Sequence, residues 1–98
     1  MFLRLHTSPV IQIGNGTDHG LPIYACAIEV QPIQDSDREV SNTTITVRSP
    51  GAELRSILAQ GPIAVSAELC DDAGAVLFAG EVEAVSYAGV DWTIVLEV

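Results

Sequence analysis

Residues 63–98 set the strongest constraint on the fold, because their apolar positions recur with a period of two and the runs are cut by short turn sequences. IAVSAELC (63–70) alternates Ile63, Val65, Ala67 and Leu69. DDAG (71–74) follows as a turn in which Gly74 can take positive φ. AVLFAGEVEAVSY (75–87) reads as one long strand, or as two with a bulge at Gly80. AGVD (88–91) turns again, and WTIVLEV (92–98) places Trp92, Ile94, Leu96 and Val98 on one face. Three β-elements joined by tight turns form a meander, and its last strand offers an edge at the end of the chain.

The same pattern continues upstream. FLRLH (2–6) sets Leu3 and Leu5 against Arg4 and His6, and VIQI (10–13) runs into the turn signal GNG. GNGTDHG (14–20) reads as loop. IYACAIEV (23–30) is apolar on both faces, as a central strand would be. QPIQDSDREVSN (31–42) is the most polar stretch and reads as loop, with room for a short strand or turn. TTITVRS (43–49) is β-branched, with Ile45 and Val47 on one face. AELRSILAQ (52–60) breaks the β pattern. Its residues favour helix, Leu54, Ile57 and Leu58 share a helical face, and Gly61-Pro62 stops it. The predicted fold is mainly β, a small antiparallel barrel or sandwich of six or seven strands with one short helix at about 52–60, in a single domain over 1–98. The predicted core is Ile45, Val47, Leu54, Leu58, Val65, Leu69, Leu77, Ile94 and Leu96.

Charge narrows the function. Thirteen acidic residues against four arginines and no lysine give a formal net charge of -9 in 98 residues. Nucleic-acid binding requires a basic footprint, so no nucleic acid is expected as a partner. An anionic membrane surface would repel the chain, and no run of ~18 apolar residues supplies a membrane span. The apolar start of MFLRLHTSP is shorter than a signal-peptide core. The acids are spread from Asp18 to Glu97, as on a solvated surface, and also suit a basic partner.

Candidate chemistry is sparse. Asp18 and His19 are neighbours in the GNGTDHG loop, and His6 sits on the polar face of the first strand. No spacing among them matches a metal site. Ser, Cys, His and acids are all present, but no nucleophile signature joins them. Paired carboxylates at Asp35/Asp37, Asp71/Asp72 and Glu81/Glu83 read as loop, hairpin turn and solvated strand face. GNG (14–16) lacks the third glycine and the following helix of a dinucleotide fingerprint. Trp92 reads as packing at the start of the last strand. Cys26 and Cys70 lie in apolar runs and read as inert, reduced thiols. No catalytic, metal or cofactor residue is assigned, and the chain reads as a binding or assembly module and not an enzyme.

Residues 41–87 resemble the β-barrel domains of tailed-phage tail-tip and baseplate hub proteins. The shared pattern runs through TTITVRS, the break PGAELRSILAQG, PIAVSAEL, the acidic-Gly turn DDAG and LFAGEV. Such hub domains usually belong to longer chains. The resemblance implies a structural virion component, made in the host cytoplasm and residing in the tail. Its partners would be other tail or baseplate proteins in a homo- or hetero-oligomer. It carries over no catalytic residue. The alternative reading is a small acidic inhibitor or anti-defence protein that binds a basic partner.

Overall fold

The computed structural model describes residues 1–14, 23–30 and 42–98. The alternating runs become strands: β1 (Phe2–Leu5), β2 (Ile11–Gly14), β3 (Ile23–Tyr24), β4 (Ile28–Val30), β5 (Asn42–Val47), β6 (Ser66–Cys70), β7 (Val76–Ala88) and β8 (Asp91–Glu97). The single helix of the described residues, α1 (Ala52–Ala59), falls inside the predicted span. All eight strands join one sheet in the order β3-β2-β1-β6-β7-β8-β5-β4. Every pairing is antiparallel except β2 with β3. The mainly-β class with one short helix holds. The sheet, however, is open and not a closed barrel.

It is nevertheless curled. β3 and β4 are the two edges of the sheet, yet only Ala25–Ala27 separate them in sequence. Three residues span little more than ~10 Å, so the edges must approach one another. Ile28 on β4 reaches β2: a Cβ built on Gly14 would lie 3.5 Å from Ile28 Cδ1. IYACAIEV is therefore not the single central strand that its two apolar faces suggested. Ala25 and Ala27 are exposed, and the small residues make a bridge between two short edge strands.

The concave side holds the core. Leu3, Leu5, Ile11, Ile13, Ile45, Val47, Ala67, Leu69, Ile94 and Leu96 are buried, and α1 adds Leu54 and Leu58 with Ile57 packed beside them. Arg55 and Ile57 face different neighbours. Arg55 lines a groove with Tyr87 and Trp92, and Ile57 lines one with Ile11 and Tyr24, so α1 lies between the β7–β8 tip and β2.

β7 is the exception to simple alternation. Its first half pairs with β6 and its second half with β8, and Glu81 faces Ser66 on one side and Glu97 on the other. The change of partner falls next to Gly80. A Cβ there would sit 2.3 Å from the Glu97 carbonyl oxygen, closer than any side chain allows. Gly80 thus permits a close backbone approach and is not itself the bulge. The register shifts lie on either side, between Leu69/Cys70 and between Val82/Ala84. The first skips Leu77, so Phe78 packs inward and Leu77 is 45% exposed, against its predicted place in the core. The second leaves Glu83 as the extra residue and shifts the inward parity from Val82 to Val85.

Two further readings are corrected. β8 is flanked by β7 and β5, so the last strand offers no edge. Ile63 is exposed and Ala64 takes a φ of 64°, so β6 begins only at Ser66, with Val65 partly buried against the core.

Leu96→Ala should cost about 2–5 kcal/mol, because Leu96 is fully buried. Gly80→Ala should cost about 1–3 kcal/mol by forcing β7 off the end of β8. Denaturant unfolding of each variant measures both, and a neutral Gly80→Ala would show that the close approach at Glu97 is not required.

Candidate interaction surface

The β7–β8 hairpin carries most of the exposed chemistry of the described residues. Its turn is the two-residue loop Gly89–Val90, flanked by the pair Ala88↔Asp91. Gly89 has φ 66°, which a two-residue hairpin with one left-handed first position demands. The turn projects Val90, 67% exposed, beside Tyr87, 69% exposed. Tyr87 packs on Trp92 across the strands, with ring centroids 4.9 Å apart and planes tilted by 34°. These rings, with Pro50, Val90 and Arg55, line a groove of about 430 Å³.

Asp91 locks the groove to the end of β5. Its Oδ2 accepts from Arg48 Nη1 at 2.6 Å, and its Oδ1 accepts from the backbone N–H of Ser49 at 3.1 Å. Ser49 is in the left-handed region, φ 43°, so the chain turns sharply there before buried Pro50 and α1. Arg48 also donates to Glu29 on β4. The Arg48 guanidinium, helped by the Ser49 N–H, holds the Asp91 carboxyl below the usual carboxylate range. Among the described residues Arg55 is the one arginine that makes no ion pair; Arg4 and Arg48 are both engaged.

The other end of the hairpin is acidic. Glu81 lies opposite Glu97, and Glu83 stands beside them in a shallow groove with Ile63 and Val98. The tip differs: its one charged residue, Asp91, is paired with Arg48, and Arg55 of α1 lies beside it. Among the described residues no cluster of three or more His, Cys, Asp or Glu is arranged to hold a metal ion.

The remaining candidates are dispersed. His6 Nε2 donates to Glu68 Oε1 at 2.8 Å, and Arg4 Nη1 donates to the same oxygen at 3.2 Å. These bonds, His6 first, hold the Glu68 carboxyl below its ordinary range against partial burial. Asp71 Oδ1 accepts from the N–H of Ala73 and Ala75, so it organises the β6–β7 turn, while Asp72 is exposed. Gly14 ends β2 with φ 110°. Cys26 is partly buried, Cys70 is buried, both are free, and burial pushes both thiols up. Asp18, His19, Asp35 and Asp37 lie outside the described residues.

Sequence reasoning did not single out Tyr87, Val90 or Arg55. The available signal was two large apolar residues flanking a glycine turn, where polar residues are the rule.

A lowered carboxyl pKa stabilises the fold above the ordinary carboxylate range, and that contribution disappears as pH falls through the lowered value. Asp91→Asn should therefore melt below wild type at neutral pH, and the gap should shrink as the solution is acidified below the carboxylate range. A gap unchanged with pH, in melting curves of the two proteins, would show that Asp91 acts without its charge.

No protein-family model, no curated protein and no solved structure matches this chain.

Proposed function

We propose that this protein is a structural component of a phage tail tip or baseplate, an assembly module that works by contact and not by catalysis. The observation that carries the reading is the exposed apolar end of the β7–β8 hairpin, where Tyr87 and Val90 stand clear of the core beside Arg55, which makes no ion pair among the described residues. Large apolar side chains at a projecting turn are costly in water and gain by being covered. The resemblance of residues 41–87 to tail-tip and baseplate hub domains names the setting: neighbours in the tail, in a homo- or hetero-oligomer within the virion, after synthesis in the host cytoplasm. Among the described residues no helix is long and apolar enough to cross a membrane.

The acidic groove favours a second reading, a small inhibitor or anti-defence protein that engages a basic partner through Glu81, Glu83 and Glu97. The two differ in salt response. An apolar contact survives or tightens as salt rises, whereas a carboxylate-to-cation contact weakens.

Mass spectrometry of purified particles should find the chain in the virion, and Val90→Asp should deplete it there while its melting temperature stays near wild type. Absence from particles, together with salt-sensitive capture of a basic protein that Val90→Asp leaves intact, would select the inhibitor reading.

A further inference from the structure

The hairpin turn fixes the hydrogen-bonding phase of β7. Ala88 and Asp91 flank a two-residue loop, so they form the bonded pair that closes it. Alternation then makes Tyr87↔Trp92 non-bonded, Ser86↔Thr93 bonded and Val85↔Ile94 non-bonded. The N–H and C=O of Val85 and of Tyr87 consequently point away from β8. On that side β6 has already left: its pairing with β7 stops at Ser66↔Glu81, and the segment before it reaches only Val82, through bonds to Ala64 and Val65. Four backbone groups on one strand edge are left without a partner among the described residues.

We propose that this edge pairs with the same edge of a second copy, antiparallel, about a twofold axis at Ser86. That register sets Val85 of each copy against Tyr87 of the other and satisfies all four outward groups on both sides. Moving the axis by one residue places Val85 or Tyr87 opposite the Glu83 bulge or the Gly89 turn, so half of the bonds are lost. The side chains agree with the same register. Val85 meets Tyr87, a β-branched residue against an aromatic one. Ala84 meets Ala88, and Ser86 meets Ser86, all small and exposed. Glu83 faces Gly89, so no carboxylate opposes another. Because each copy offers the same five residues to the other, the contact is twofold and isologous. The nine net negative charges of each copy oppose the pairing at long range, and salt screens them, so dimerisation strengthens as salt rises.

This inference does not depend on the tail assignment, and its test uses the isolated full chain. Across a non-bonded pair the Cα atoms sit ~4.5 Å apart, within disulfide reach. Ser86→Cys should therefore give a reducible, covalently linked dimer under mild oxidation. Ala84→Cys should give no more than the wild-type background from Cys26 and Cys70, since its counterpart would be four residues, ~14 Å, away along the strand. Ser86→Glu, which sets like charges across the axis at an exposed position, should abolish the dimer in sedimentation velocity and leave the melting temperature near wild type. A wild-type chain that stays monomeric at every concentration and salt would overturn the proposal. So would Ala84→Cys cross-linking as well as Ser86→Cys, or a Ser86→Glu chain that still dimerises.

Discussion

The close approach of Gly80 to the Glu97 carbonyl is the contact on which the architecture turns. It lets one thirteen-residue strand serve two neighbours, β6 along its first half and β8 along its second. The same sheet curls far enough for Ala25–Ala27 to join its two edge strands, β3 and β4. The curl creates the concave side that Leu54 and Leu58 of α1 help to fill. The missing side chain at Gly80 is what lets the end of β8 lie this close to β7.

Register shifts lie on either side of Gly80. Each inserts one residue, and a one-residue shift exchanges the two faces of the strand. Near β6 the inward residues of β7 are Phe78 and Val82, both even-numbered; beyond the bulge at Glu83 the inward residue is Val85. The price is Leu77, set outside by the first shift. This also explains why Glu83 is charged: as the extra residue of the bulge it has no inward place to fill.

How much of this was legible depended on whether a run had one apolar face or two. TTITV has one, and Ile45 and Val47 are buried as its alternation requires. AELRSILAQ has helical spacing between glycines, and α1 lies within it with the predicted residues inward. AVLFAG is apolar at both parities, so pattern alone could not choose between Leu77 and Phe78; the choice was made by a bulge. IYACAIEV is ambiguous in the same way, and its true role comes from the curl of strands distant in sequence. Beyond Trp92, whose ring packs on Tyr87 in the groove, the surface was least legible, since Tyr87, Val90 and Arg55 are joined by the fold and not by spacing.

The edges of the sheet show which surface this chain leaves open. Among the described residues β3 has two residues and β4 three, and Glu29 on β4 is held in an ion pair with Arg48. The bulge at Glu83 interrupts the edge of β7 on one side and the Gly89 turn closes it on the other. Between them stands AVSYA (84–88), with neither charge nor proline. A window with two outward-facing residues is long enough for one short ladder and too short to seed an extended stack. Pairing with a second copy consumes the edges of both, so the association closes on itself. The net charge of -9 on each copy opposes association in general, and the uncharged window lets the two edges approach without setting carboxylate against carboxylate.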